Sequence, residues 1–368
     1  MFKRFSLYLK NMDWALFSAV LLLVSFGLVE IYSVALGRGG TDLLNFKKQL
    51  IFAGIGFCLM FFLAFTDYHS LRSFSNYFYL AALGSLVAVL LFGTVINGTK
   101  GWFYIAGLGI QPVEFVKFAL ILFLARYFSS ASIKVSPLKH LIITGGGTLI
   151  LFVLVAFQPD FGSAMLLFSV WLAFIVLAGL EKKYLAMMML LIAVLGTLAW
   201  SFYLAPYQKQ RIATFLNPSF DPLNQGYNIS QAIIAVGSGG LFGRGIGFGS
   251  QSQLKFLPES QTDFIFAVIS EELGFFGVAL VLIFFAVFIF RCLASLKKIN
   301  NDFGIFFVLG VMSLIFIEMF INIAMNIGML PVIGIALPFL SYGGSTIISN
   351  LMMVGVVQSI IIRSRISY

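Results

Sequence analysis

Long apolar runs separated by short polar segments dominate the chain. A helix needs about 20 residues to cross roughly 30 Å of hydrocarbon, and ten runs approach or exceed that length. They cover residues 14–34, 46–65, 74–96, 113–128, 139–157, 161–180, 184–205, 264–291, 304–328 and 344–363. The pattern predicts an all-α integral membrane protein, with about ten transmembrane helices in a single polytopic domain over residues 1–368.

The composition fits a chain whose solvent is lipid. Hydrophobic residues make up 60% of the 368 residues and charged residues 10%, whereas soluble domains carry about 25% charged residues. The first apolar run is too long for a cleaved signal peptide and lacks a clear small-residue cleavage site. We therefore interpret it as an uncleaved first span in contact with membrane lipid.

The basic residues predict the orientation of the chain. The net charge is +9, but the cations occur singly or in pairs beside apolar runs, so no nucleic-acid partner is expected. If the N-terminus is cytoplasmic, the inner segments hold fourteen Lys and Arg residues and the short outer segments hold four. Because positive charge favours the cytoplasmic side, both termini are predicted to lie in the cytoplasm.

The longest polar connection is a predicted extracytoplasmic loop over residues 206–263. Within it, the segment from Ile229 to Val236 has the pattern of a short amphipathic helix lying on the membrane. The glycine-rich sequence GSGGLFGRGIGFG follows at 237–249. It does not match the phosphate-binding pattern GxxxxGK followed by Ser or Thr. We interpret it as a tight loop that turns sharply or approaches another segment closely; backbone amides offered to phosphate are the alternative.

Ionisable residues within or near the spans concentrate on the predicted outer side. Eight of the fourteen acids lie there: Glu30, Glu114, Asp160, Glu259, Asp263, Glu271, Glu272 and Glu318. A charged group at the centre of a span costs about 2.5–3.5 kcal/mol on insertion scales and usually faces a cavity or the bundle interior. The distribution predicts one polar cavity open to the exterior and disfavours an ion conduit. Both histidines fall in predicted cytoplasmic loops, so acid–base work in that cavity falls to carboxylates.

Several of these acids have a structural alternative. Glu114 and Lys117 are spaced i, i+3 and could form an ion pair that joins helices. Asp263 stands where the next helix is predicted to begin, so it could cap that helix or act as a general base beside a partly desolvated volume. Glu271 and Glu272 are adjacent, so at most one is expected to face the centre of the cavity.

Five long strings suggest a family. They are NGTKGWFYIAGLGIQPVEFVKFAL, QPDFGSA, GYNISQAIIAVGSGGLFGRG, FLPESQTDFIFAVISEELG and LPFLSYGGSTIISNLMMVGVVQSI, in this order along the chain. With them the chain resembles, over nearly its whole length, the SEDS family (shape, elongation, division and sporulation) of bacterial membrane glycosyltransferases. GSQSQLKFLPE and NIGMLPVIGIALPFLSYGG look more like its elongation type, RodA, than its division type, FtsW.

The resemblance implies ten spans around a periplasm-facing cavity in the bacterial inner membrane, where lipid II is polymerised into glycan. It implies that Asp263, in the family's PExxTDFIF signature, is catalytic, and it marks Glu114, Lys117 and Asp160 as site residues. The expected reaction is an inverting transfer in which Asp263 is the general base and undecaprenyl pyrophosphate leaves. The chain departs from common family residues at Lys48, Gly101, Val113 and Gln261.

The pyrophosphate leaving group requires positive charge. The outer-face candidates are Lys48, Lys100, Lys117, Arg211 and Arg244. Glu259 completes the predicted substrate-binding set, and a divalent cation, Mg or Mn, held by an acidic residue is a further option.

No SxxK motif of a transpeptidase occurs in an outer domain, so cross-linking requires another protein. The resemblance implies a class B penicillin-binding protein and other elongation-complex proteins as partners. A lipid II flippase and a structural scaffold are the alternative functions. A flippase should place polar groups along the full path across the membrane, and a scaffold has no reason to hold an acid at a cavity.

Overall fold

The computed structural model describes residues 2–37, 43–96, 98–105, 108–130, 137–179, 206–217 and 225–366, with a few positions between 181 and 201. The described helices are α1 Phe2–Asn11, α2 Trp14–Leu36, α3 Leu44–Phe65, α4 Tyr68–Phe92, α5 Pro112–Ser130, α6 Pro137–Ala156, α7 Phe161–Leu177, α8 Pro206–Leu216, α9 Gln225–Ser238, α10 Ser250–Gln253, α11 Ile265–Leu296, α12 Asp302–Asn326 and α13 Gly344–Ile366. Three strands, β1 Thr94–Ile96, β2 Thr99–Ile105 and β3 Leu108–Ile110, lie between α4 and α5.

Nine of the ten predicted apolar runs coincide with a described helix, which confirms a mostly helical membrane protein. Seven described helices are long and apolar enough to cross a membrane: α2, α3, α4, α6, α11, α12 and α13. The helix α5 carries Glu114 and Lys117, and α7 has only 17 residues. The seventh run, 184–205, lies mostly outside the described residues.

The structure differs from the prediction around α4. The strands form a small antiparallel sheet in the order β1-β2-β3, and the Lys100 N–H donates to the Gln158 carbonyl at 3.1 Å, which joins the sheet to the segment before α7. The helix α4 begins at Tyr68 rather than at 74, because the Asp67 side chain caps it by accepting from the His69 N–H. The chain is mostly helical, as predicted, and these three short strands add a small sheet to the helical bundle.

Both described ends of the chain meet at one end of the bundle, the terminal face. Arg365 in the last turn of α13 donates to the carbonyls of Asn11 and Met12. Asp13 caps α2 and forms ion pairs with Arg365 and with Arg291 from the last third of α11. Burial alone would raise the pKa of the Asp13 carboxyl, but hydrogen bonds from Arg291 and the Leu16 N–H, together with both arginine charges, hold it below its usual value. Asp13 therefore ties the start of α2 to the ends of α11 and α13.

Candidate active site

Asp263 lies at the opposite end of the bundle, the site face. The helix α11 has Arg291 at the terminal face, so its first residue, Ile265, lies at the other end. Phe264 occupies the N-cap position and makes no side-chain cap hydrogen bond. Asp263 therefore sits in the turn before the helix, half-buried and one residue before the N-cap position.

Two buried asparagines of α12 hold the main chain of Asp263. The Nδ2 atoms of Asn322 and Asn326 each lie 3.0 Å from the Asp263 carbonyl oxygen and donate to it. Asn326 Oδ1 accepts from the Ala267 N–H at 3.2 Å. An N–H in the first turn of a helix lacks an intrahelical partner, so Asn326 supplies a capping hydrogen bond to α11.

The segment between α12 and α13 packs against the same turn. A Cβ built on Gly334, whose φ is +75°, would lie 3.7 Å from Asp263 Oδ2, so the backbone of this segment runs beside the carboxyl. Ser341 Oγ donates to the Thr262 carbonyl at 2.7 Å, and the Tyr342 N–H donates to the Gln261 carbonyl at 2.8 Å. The two residues before Asp263 are therefore held by the segment that leads into α13.

Lys117 is shared by two carboxylates. Its Nζ lies 2.8 Å from Glu114 Oε2 on the same helix and 2.6 Å from Glu318 Oε1 on α12. All three side chains are at most 8% exposed. The predicted Glu114–Lys117 pair is therefore present, but Glu318 joins it across the bundle, which links α5 to the helix that holds Asp263.

Asp160, Lys100 and Lys48 lie at the start of α7, in β2 and on α3. Asp160 caps α7 through the Ser163 N–H, and its Oδ2 lies 3.4 Å from Gln111 Nε2 at the start of α5. Lys100 is half-buried in β2, and its Nζ lies 3.5 Å from the Leu91 carbonyl. Lys48 is half-buried on α3.

The residue after Lys48 ties α3 to the wall of the site. Gln49 donates to the Ser341 carbonyl at 3.2 Å and accepts from the Gly343 N–H at 3.1 Å. Ser341 is the residue that also contacts the Asp263 turn. This chain of contacts places Lys48 near the site face.

Glu271 and Glu272 organise the glycine-rich segment. Glu271 accepts from the N–H groups of Gln251 and Ser252 at the start of α10, at 2.8 and 3.2 Å. Glu272 accepts from the Gly247 N–H at 3.0 Å and from Gln253 Nε2 at 2.9 Å. Both carboxylates are fully buried, and these hydrogen bonds satisfy them within the protein.

The glycines allow this segment to touch the backbone of α11. A Cβ on Gly239 would lie 1.8 Å from the Ser270 carbonyl oxygen, and a Cβ on Gly243 would lie 2.2 Å from that of Glu272. The N–H groups of Arg244 and Gly245 donate to the carbonyls of Glu271 and Glu272, where α11 breaks at Gly274 with φ +64°. The close-approach interpretation therefore holds, and the amides of Arg244 and Gly245 are already hydrogen-bonded within the protein.

Three further predicted positions belong to the segment between residues 206 and 263. Arg244 is exposed, and its Nη1 donates to Ser250 Oγ at 2.7 Å. Glu259 is exposed in the turn before Asp263 and accepts from Thr262 Oγ1 at 2.9 Å. Arg211 belongs to α8, but its side chain lies outside the described part of the chain.

Among the described residues, no group of three or more His, Cys, Asp or Glu is arranged to hold a metal ion. Glu271 and Glu272 satisfy protein N–H and amide donors, and Glu114 and Glu318 face a lysine. These four carboxylates are therefore engaged within the protein.

Fold and site together define a multi-pass membrane protein with a buried acid–base cluster and an anchored aspartate near one face. Residues 13–366 match the FtsW/RodA/SpoVE family of cell cycle proteins. The chain belongs to this family, which confirms the resemblance given by its motifs.

Curated relatives cover almost the whole chain. It is 38% identical to stage V sporulation protein E of Bacillus subtilis (strain 168), an alignment that covers 95% of this chain and 96% of the relative. It is 35% identical to the peptidoglycan glycosyltransferase MrdB of Escherichia coli (strain K12), over 95% and 93% of the two chains.

Solved structures show the same fold. A chain from a peptidoglycan synthase complex, described as coordinating polymerization and crosslinking, aligns with a TM-score of 0.81 at 28% identity, over 96% of this chain and 98% of that one. The rod shape determining protein RodA of Thermus thermophilus aligns with a TM-score of 0.70 at 26% identity, over 97% and 98%.

The structure also identifies neighbours that the sequence analysis missed. Asn322 and Asn326 were overlooked because neutral amides within an apolar run resemble ordinary polar substitutions. Glu318 was noted, but its partner was not, because Lys117 lies 201 residues away in sequence. The i, i+4, i+8 spacing of Glu318, Asn322 and Asn326 is the signal that could have revealed one polar stripe on α12.

Proposed function

We propose that this protein is a peptidoglycan glycosyltransferase that polymerises lipid II, with Asp263 as the general base. The observation that carries the proposal is the anchored, half-buried Asp263 at the site face of a chain in the FtsW/RodA/SpoVE family. MrdB, which shares 35% of its residues with this chain, is named as an enzyme of this activity.

The proposed step transfers one sugar chain with inversion. The oxygen of the 4-hydroxyl of one lipid-linked sugar attacks the anomeric carbon of the growing chain, and the hydroxyl proton moves to the Asp263 carboxylate. The bond from the anomeric carbon to the pyrophosphate oxygen breaks, and its electron pair leaves with undecaprenyl pyrophosphate. A positioned base of this kind contributes on the order of 10²–10⁴-fold in rate.

The predicted cations divide into two groups in this scheme. Lys117 neutralises Glu114 and Glu318, so its charge is already engaged by the protein. Lys48 and Lys100, half-buried near the site face, are candidates for the pyrophosphate by their position, and Arg244 contributes at the rim. We also propose that these cations line one cavity that is open to the exterior.

The proposed setting is the bacterial cytoplasmic membrane, with both termini in the cytoplasm and the site face towards the periplasm. The proposed partner is a class B penicillin-binding protein, supported by the structural match to a synthase complex that couples polymerization to crosslinking. The chain is also similar to a sporulation protein. The proposed role in elongation therefore rests on the strings GSQSQLKFLPE and NIGMLPVIGIALPFLSYGG.

Purified protein in liposomes with fluorescent lipid II tests the proposal. We expect glycan chains on a length-resolving gel, in the presence of the partner and with or without divalent cation. Reorientation of lipid II across the bilayer without any polymer would favour the flippase instead.

A further inference from the structure

The helix α12 carries one polar stripe along an otherwise apolar face. Glu318, Asn322 and Asn326 are spaced i, i+4 and i+8, which places them on one side of the helix, and all three are at most 1% exposed. Glu318 binds Lys117, whereas the two asparagines bind the Asp263 main chain. One rigid element therefore carries the contacts to both charged groups.

The N–H donors of the two amides are fully used. Asn322 Nδ2 donates to the carbonyls of Asp263 and Ile335, at 3.0 and 2.8 Å. Asn326 Nδ2 donates to the carbonyls of Asp263 and Asn322, at 3.0 and 2.8 Å, and Asn326 Oδ1 accepts from Ala267. A side-chain amide has two N–H donors, so each asparagine joins the Asp263 carbonyl to a second backbone segment.

The segments joined are those that border the Asp263 carboxyl. Ile335 follows Gly334, whose backbone runs beside Asp263 Oδ2, and Ala267 lies in the first turn of α11. Without either amide, the Asp263 carbonyl loses one of its two donors. The segment at Ile335 or at Ala267 then also loses its hydrogen bond to α12. Glu318, which binds Lys117, lies four residues before Asn322, which binds Asp263. At 1.5 Å rise per residue, the two contacts are therefore about 6 Å apart along α12.

We infer that Asn322 and Asn326 are positioning residues for Asp263, which hold its main chain so that its carboxylate stays in reach of the sugar hydroxyl. The inference rests on the proposed function of Asp263 as the base. Neither asparagine touches substrate in this account; both act through the Asp263 carbonyl. A displacement of a reacting group by about 1 Å can cost on the order of 10²-fold in rate.

The test is steady-state polymerisation of lipid II by full-length Asn322→Ala and Asn326→Ala, normalised to folded protein. We expect kcat to fall by about 10-fold to 100-fold with little change in KM. We also expect the acidic limb of the pH–rate profile to move, because the environment of the Asp263 carboxyl changes. Asn322→Gln, which keeps the donors but adds one methylene, is expected to show the same kinetic pattern and serves if an alanine variant does not fold.

Gln358→Ala is the matched control. Gln358 is a buried amide on α13 that holds both main-chain groups of Asp13, at 2.9 Å each, at the terminal face. Its loss removes a comparable anchor of an aspartate at the opposite end, so we expect lower stability but an unchanged kcat and pH profile per folded molecule.

The outcomes separate this inference from the proposed function. If Asp263→Asn is inactive while both asparagine variants keep the kcat and pH profile of Gln358→Ala, the positioning inference is overturned and the role of Asp263 stands. If Asp263→Asn itself remains fully active, the proposed function fails first.

Discussion

Removal of the Lys117 charge should expose how strongly the buried cluster depends on it. The Lys117→Met change keeps an unbranched apolar chain of similar length but leaves Glu114 and Glu318 buried without their shared cation. Breaking one buried ion pair costs about 3–5 kcal/mol. Because two carboxylates lose the same partner here, we expect at least about 4 kcal/mol, nearly a 10³-fold change in the folding equilibrium.

The assay is thermal unfolding in detergent, followed by fluorescence-detected size exclusion. Lys117→Met should unfold at a clearly lower temperature than the wild type. The triple variant Glu114→Gln/Lys117→Met/Glu318→Gln should regain much of the loss, since replacing a whole buried ionic group by neutral residues is often tolerated. Glu318→Gln alone should stay close to the wild type, because the Lys117–Glu114 pair remains. A Lys117→Met protein as stable as the wild type would refute the reasoning, since the carboxylates would then be neutralised by another route.

Three further predictions concern the terminal face and the glycine-rich segment. Asp13→Asn should destabilise the protein by about 3 kcal/mol at pH 7, the lower end for a buried pair because both arginines are partly exposed. The folded-state pKa of Asp13 is lowered. The stabilisation by its carboxylate is therefore present above the unfolded pKa of about 4 and is lost as the pH falls through the folded pKa. Equal unfolding midpoints of the wild type and the variant at pH 7 would contradict this prediction. Gly239→Ala should undock residues 239–249 and increase limited proteolysis there, whereas Gly237→Ala, with open space around its Cβ, should not.

The helices could be predicted from the sequence because each span is a separate local pattern. An apolar run of about 20 residues needs no knowledge of its neighbours, so the bounds of α2, α3 and α13 were predicted to within a few residues. The early start of α4 was missed because its first turn is polar, although Asp67 gives a capping signal. The strands at 94–110 were missed because such short segments have no distinctive period.

The contacts at the site could be predicted only in part. The motif identified Asp263, and the i, i+3 spacing gave the Glu114–Lys117 pair, because both signals are local. The third member of that cluster and the asparagines around Asp263 depend on the packing of α12 against α5 and α11, which a single sequence does not specify. Glu271 and Glu272 were expected near a cavity, but the close approach of the glycine-rich backbone assigns them to that segment instead.

The most direct test of the central claim is a comparison of two isosteric changes at opposite ends of the bundle. Asp263→Asn and Asp302→Asn each replace one carboxylate by an amide, the second at an exposed position in the first turn of α12. Both variants and the wild type are reconstituted with lipid II and the partner, at equal amounts of folded protein, and the products are resolved by length. The wild type and Asp302→Asn should produce glycan chains and Asp263→Asn should produce none; chains made by Asp263→Asn at the wild-type rate would contradict the account.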